Sequence, residues 1–149
     1  MPHHPEWQWD QGPIGRIVKT AYITLRREIE QLLRPVGLTH TQWSALGVLL
    51  HYPGITPSQL EQILMIERPS VTSLVNGLEG RGLVVRRVSP EDGRSKQIFL
   101  TDAGRKLAEE TRHFAQIVED RVKRGMTEDE FETLKALLVK MVSLFGRPR

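Results

Sequence analysis

The chain has 149 residues, enough for one domain with a sizeable core. Apolar residues make up 39% and charged residues 26%, a globular balance rather than a disordered one. Cysteine is absent, which excludes disulfides, thiolate-bound zinc, iron–sulfur clusters and thiol redox sensing. The net charge of +3 permits nucleic-acid binding without establishing it.

No stretch is apolar for long enough to suggest a membrane span. The opening Met1-Pro2-His3-His4-Pro5-Glu6 lacks a basic segment followed by an apolar one, so no secretory signal and a cytoplasmic location are expected. The first dozen residues, with Pro2, Pro5, Trp7, Trp9, Gly12 and Pro13, read as an extended arm that packs on something. From Ile14 the apolar positions take helical spacing: Ile17, Val18, Ala21, Leu25, Ile29, Leu32 and Leu33. Pro35-Val36-Gly37 should end that helix.

Thr39 and Gln42 have capping-box spacing and open a second helix with Trp43, Leu46, Leu49 and Leu50 on its apolar stripe. His51-Tyr52-Pro53-Gly54 breaks it. Thr56-Pro57-Ser58-Gln59 repeats the device and predicts a short helix carrying Leu60, Ile63 and Leu64. A turn near Met65-Ile66-Glu67 leads to a helix from about Arg68, with Val71, Leu74, Val75 and Leu78 as its buried face. Gly80-Arg81-Gly82 ends it.

The period then changes. Residues 83–88 are rich in valine and read as a strand, Ser89-Pro90-Glu91-Asp92-Gly93-Arg94 is turn chemistry, and residues 96–100 are the returning strand. Thr101 caps one long helix with Leu107, Thr111, Phe114, Val118 and Val122 on a stripe that runs to Gly125. Thr127 and Glu130 form another capping box and open a last helix with Phe131, Leu134, Leu138, Met141 and Phe145. Pro148 closes the chain. The first and the last two helices carry apolar faces that the middle unit is too small to cover, which points to a second copy of the chain.

Two short helices joined by a tight turn and followed by a hairpin make a winged helix-turn-helix, in an otherwise mainly α chain. The second of these helices can enter a major groove, and the hairpin can reach backbone or minor groove. Its non-core positions are Arg68, Ser70, Thr72, Ser73, Asn76 and Gly77, small or hydrogen-bonding residues. Ser and Thr bond phosphates or bases, and Asn can pair bidentately with adenine. Between Arg81 and Lys96 stand five bases (Arg81, Arg86, Arg87, Arg94, Lys96) against Glu91 and Asp92, an excess equal to the net charge of the whole chain. Arg86 and Arg87 alternate in face, so at most one of them meets DNA. A basic protrusion beside a polar helix is the electrostatic footprint of a DNA reader.

Four segments in order resemble the MarR family of bacterial transcription regulators, most closely its SlyA-like branch. They are Leu38-Thr39-His40-Thr41-Gln42-Trp43, Ile66-Glu67-Arg68-Pro69-Ser70-Val71-Thr72, Leu78-Glu79-Gly80-Arg81-Gly82-Leu83-Val84, and Asp92-Gly93-Arg94-Ser95-Lys96 with Leu100-Thr101 and Gly104. The resemblance runs from about Ile14 to Leu144. It implies a single MarR-like domain over residues 1–149, with dimerisation helices at 14–34 and 102–146 around a winged helix-turn-helix at 38–101. It also implies a homodimer on a pseudo-palindromic operator in double-stranded DNA. In that arrangement Arg94 is the wing arginine in the minor groove and Asp92 the acid that orients it. Family members often carry a basic residue at the positions of Ser73, Gly77 and Gly93, which are uncharged here. Many members release DNA when a small anionic or phenolic molecule binds.

The expected DNA-binding residues are therefore Arg68, Ser70, Thr72, Ser73, Asn76, Arg86, Asp92, Arg94 and Lys96. Tyr22, Arg26 and Trp43 are candidates for an effector site. Tyr22 and Arg26 lie one helical turn apart and can receive a carboxylate, or form a dimer contact. Trp43 suits a ligand wall or the core. His3, His4, His40, His51 and His113 include no helical metal pair, and no phosphate loop or nucleophile elbow occurs. No cofactor, metal or catalytic residue is expected. The runner-up reading is a winged-helix protein-interaction or scaffold module without specific DNA binding.

Overall fold

A computed structural model describes residues 8–146. The arm residues Pro2, Pro5 and Trp7, His3 and His4, and the closing Pro148 lie outside the described residues. Trp9–Gln11 forms a single 3-10 turn before α1 (Ile14–Leu33). A second 3-10 turn, Arg34–Val36, ends α1 at Gly37, whose φ of +69° reverses the chain without the Cβ clash other residues would meet.

Helices α2 (His40–His51) and α3 (Pro57–Leu64) both open with the predicted capping boxes. In each, the threonine hydroxyl accepts the N3 amide and the glutamine side chain accepts the amide of the capping threonine. α4 spans Arg68–Gly80 and buries Val71, Leu74, Val75 and Leu78, the predicted face. The antiparallel strands β1 (Val84–Val88) and β2 (Lys96–Leu100) pair with Val84 opposite Leu100 and Val88 opposite Lys96. Ile55 adds a bridge to Ile98, its carbonyl accepting the Ile98 amide at 2.9 Å, so the hairpin is fastened at its base to the α2–α3 loop.

Leu33, Leu46, Leu49, Leu60, Val71, Leu78 and Ile98 have essentially no exposed surface and form the heart of the core. They come from α1, α2, α3, α4 and β2, so one apolar cluster holds the reading head together. Each such side chain stabilises the fold by roughly 1.5–3 kcal/mol relative to an exposed one. Ile63, expected on the buried face of α3, is 44% exposed. The eight-residue helix seats Leu60 and half of Leu64, and Ile63 falls to its solvent side.

The single long helix expected after Thr101 is two: α5 (Asp102–Thr111) and α6 (Phe114–Arg124), broken at Arg112-His113. The Trp43 indole N–H donates to the Thr111 carbonyl at 3.0 Å, and the Thr111 hydroxyl bonds back to the Leu107 carbonyl at 2.8 Å. An outside donor on a helical carbonyl and a back-bonded threonine both bend a helix. α7 (Glu128–Leu144) follows its own capping box and buries only Phe131. Leu134, Leu137, Leu138, Val139, Val142 and Leu144 are exposed, as are Ile14, Tyr22 and Leu25 on α1. Among the described residues no helix is long and apolar enough to cross a membrane.

Candidate functional site

The turn between α3 and α4 is made by Met65 at φ +53°, the one non-glycine residue in left-handed conformation among those described. It turns the chain so that α4 lies across α3 with Val71 and Leu74 inward. Arg68, Ser70, Thr72, Ser73, Asn76 and Gly77 are all exposed on α4, as the spacing predicts. Their surroundings differ. Arg68 Nε is held by Glu61 Oε2 of α3 at 2.8 Å, and the Thr72 hydroxyl bonds back to the Arg68 carbonyl at 3.2 Å. Ser70 and Ser73 border an open groove of about 460 Å³ shared with Thr39, Thr41 and Gln42 at the start of α2. A Cβ at Gly77 would stand 3.6 Å from Gln42 Nε2, ordinary contact, so packing does not require glycine there.

The five hairpin bases separate into two groups. Arg81 Nη1 donates to the Gly37 carbonyl at 2.7 Å and ties the hairpin's root to the α1–α2 turn. Arg86 turns back onto α4, where its Nη2 donates to Asn76 Oδ1 and its Nε lies 3.7 Å from Glu79 Oε2. Arg87 lies over the Phe99 ring, 5.2 Å from its centroid. Arg94 and Lys96 are exposed and have no ion-pair partner among the described residues. Asp92 Oδ2 accepts the Ser95 hydroxyl at 2.8 Å, and the Ser95 carbonyl accepts the Ser89 amide at 2.8 Å. The acid thus shapes the loop that carries Arg94 rather than pairing with it. Arg81 and Arg86 brace the head, whereas Arg87, Arg94 and Lys96 leave exposed charge on the wing.

The candidate effector residues are not gathered in one place. Trp43, half-buried, walls an apolar cavity of about 370 Å³ with Leu25, Ile29, Val118, Phe131 and Leu138. On its other side is a more polar cavity of about 360 Å³ that includes Ser44, His51, Tyr52, Thr111 and Arg112. Tyr22 is 54% exposed on α1 and lines neither cavity. Arg26 is ion-paired with Glu30 at 2.9 Å and also lines neither. His40 packs against Trp43, ring centroids 5.5 Å apart. Burial, with the Arg26 charge added, holds its imidazole below the ordinary histidine range, and Glu30 opposes this in part. Among the described residues no cluster of His, Asp or Glu could hold a metal ion.

Sequence reading did not find His40, Thr111 or the bracing roles of Arg81 and Arg86. The partners of Thr111, Arg81 and Arg86 lie on other elements, whereas His40 meets Trp43 one turn along α2, a spacing the chain does show.

A profile of the MarR family matches residues 36–95. An HTH-type transcriptional repressor of Mycobacterium tuberculosis is 28% identical over 134 residues, 90% of this chain and 96% of that one. Among solved structures, the S. aureus MepR–DNA complex is 28% identical with a TM-score of 0.83, covering 89% of this chain and 98% of that one. The transcriptional repressor CouR, bound to a 23-mer DNA duplex, is 31% identical with a TM-score of 0.79, covering 87% of this chain and 92% of that one.

Proposed function

The chain belongs to the MarR family, and from that premise we propose that it is a cytoplasmic, homodimeric transcriptional repressor and not an enzyme. It reads a pseudo-palindromic operator with α4 in the major groove and the wing at the flanking backbone or minor groove. The observation that carries this reading is the pairing of an exposed, hydrogen-bonding α4 face with Arg94 and Lys96 of the wing, exposed and without an ion-pair partner among the described residues. Relatives named as repressors, and two similar structures that contain DNA, support it. Arg68, Ser70, Thr72, Ser73 and Asn76 are assigned to the groove. Arg94 and Lys96 supply charge to phosphates or the minor groove, and Asp92 holds the loop.

Replacing Arg94 with alanine is expected to weaken operator binding and to lower the slope of log affinity against log salt by about one. Fluorescence anisotropy with an operator duplex across a salt series measures both. An unchanged affinity and slope would remove the wing from the interface. A wild-type chain whose binding ignores salt would favour the protein-interaction reading instead.

We further propose that a small aromatic acid or phenol binds beside Trp43, in the junction of α1, α2 and α6. The apolar cavity accepts a ring, and Trp43 also holds the α5–α6 break, so occupancy there bears on the angle between reading head and dimer arm. Tyr22 and the Arg26–Glu30 pair are assigned to the dimer face. A ligand that prefers the DNA-incompetent form lowers operator affinity by the same factor by which DNA lowers its own. Titrating salicylate-like acids should quench tryptophan fluorescence and release operator together. Quenching with unchanged operator affinity would make the protein a constitutive binder.

A further inference from the structure

We infer that Arg86 does not contact DNA but sets the hydrogen-bonding polarity of Asn76, so that α4 presents an amide donor and selects guanine over adenine at that position. The inference rests on the reading that α4 enters the major groove.

Arg86 projects from β1 onto the last turns of α4 and is only 25% exposed as a side chain. Its Nη2 donates to Asn76 Oδ1, and Glu79 Oε2 lies 3.7 Å from its Nε. That Nε is buried and has no hydrogen-bond partner, so the ion pair with Glu79 is what compensates it. A guanidinium has five donors and no acceptor, so the face of Asn76 turned to it must be the carbonyl oxygen. The Asn76 amide nitrogen then points away from Arg86. Asn76 itself is exposed on the face of α4 that also carries Ser73.

A free asparagine reads adenine with both ends of its amide, the oxygen accepting from N6 and the nitrogen donating to N7. Here the oxygen already accepts from a cation, which leaves it one lone pair and makes it a poorer second acceptor. The NH₂ group, polarised by the same bond, keeps two protons to donate. Guanine offers two acceptors, N7 and O6, on one edge, whereas adenine offers N7 beside a donor. An asparagine biased to donate, beside a positive charge, therefore favours guanine, and Arg86 is a positioning residue for that choice.

The test is selection of bound duplexes from a randomised library by the wild-type chain, Asn76→Ala, Arg86→Met and Asn76→Asp, with salt slopes for each. Asn76→Ala identifies the position by losing preference there alone. Wild type should prefer guanine to adenine at that position by about tenfold. Arg86→Met frees the amide oxygen, and the preference should move to adenine with the salt slope unchanged. Asn76→Asp leaves only acceptors beside Arg86 and should move the preference towards cytosine, whose N4 donates. A wild-type preference for adenine overturns the inference. So does Arg86→Met that keeps guanine while its salt slope falls by about one, since Arg86 would then be a phosphate contact. Should Arg86→Met fail to fold, the wild-type and Asn76→Asp selections decide alone. A wild type that enriches no sequence at all refutes the DNA-reading premise, a result distinct from enrichment of the wrong base.

Discussion

Alanine at Gly104 is expected to destabilise the protein by about 3 kcal/mol, the upper end of what overpacking a core costs. Gly104 is buried at the start of α5, where the helix passes against the end of α4's return into β1. A Cβ built there would stand 1.9 Å from the Leu83 carbonyl oxygen and 3.3 Å from Leu100 Cδ2. The backbone neighbour does not yield easily. The Leu83 carbonyl accepts the Thr101 amide at 3.0 Å, and the Thr101 hydroxyl donates to the Gly82 carbonyl at 2.6 Å and accepts the Gly104 amide at 3.1 Å. Backing α5 away would break the bonds that seat the root of the wing. Urea unfolding should show a midpoint lower by about 1–2 M at the usual slopes for a chain of this size. Gly15, with nothing within 4 Å of its Cβ position, is the control, and its alanine variant should gain about 0.5–1 kcal/mol. Equal midpoints for the Gly104 variant and wild type would mean that α5 does not pack on the Leu83 carbonyl as described.

Leu138→Glu is expected to convert the proposed dimer into monomers of 17.1 kDa and to cost between about 10²- and 10⁴-fold in operator affinity. Leu138 is 41% exposed on α7, within a row that includes Leu134, Leu137 and Val142. A lone chain leaves this row in water, and an isologous partner would cover it with the same row. A carboxylate placed in this row must be desolvated on association. The affinity loss follows from valency alone, because each head would bind one half-site without the other raising its local concentration. Sedimentation velocity and operator titration measure the two effects, with circular dichroism to show that α7 is intact. A variant that stays dimeric and binds as wild type would place the dimer face elsewhere.

Much of this was legible because it is local. Thr39 with Gln42, Thr56 with Gln59, and Thr127 with Glu130 announce their helices through bonds that span three residues. The inward face of α4 was equally plain, because Val71, Leu74, Val75 and Leu78 repeat at helical spacing. The break after Thr111 was not. Leu107, Thr111, Phe114 and Val118 keep helical spacing through it, with no proline or glycine to mark it. Its bond to Trp43 spans 68 residues of sequence. The site was legible as a set of charges and hydroxyls, but not as a set of roles. Sequence shows that Arg81, Arg86 and Arg94 are basic, and only the fold turns the first two inward onto Gly37, Asn76 and Glu79. Asp92 likewise has an obvious cationic neighbour in sequence and takes the Ser95 hydroxyl instead.

The break between α5 and α6 has a mechanical consequence. An unbroken helix would be a stiff rod, and any twist of the arm would be delivered whole to the head. Here the turn carries one outside bond, Trp43 to Thr111, of a kind worth about 1 kcal/mol net, while Ala108 of α5 and Val118 of α6 seat the two helices separately in the core. In the proposed dimer, a joint in each chain would let the two heads meet the fixed pitch of a duplex separately. The ligand proposed beside the Trp43 ring would act at the side chain that bonds this turn, where the two helices part.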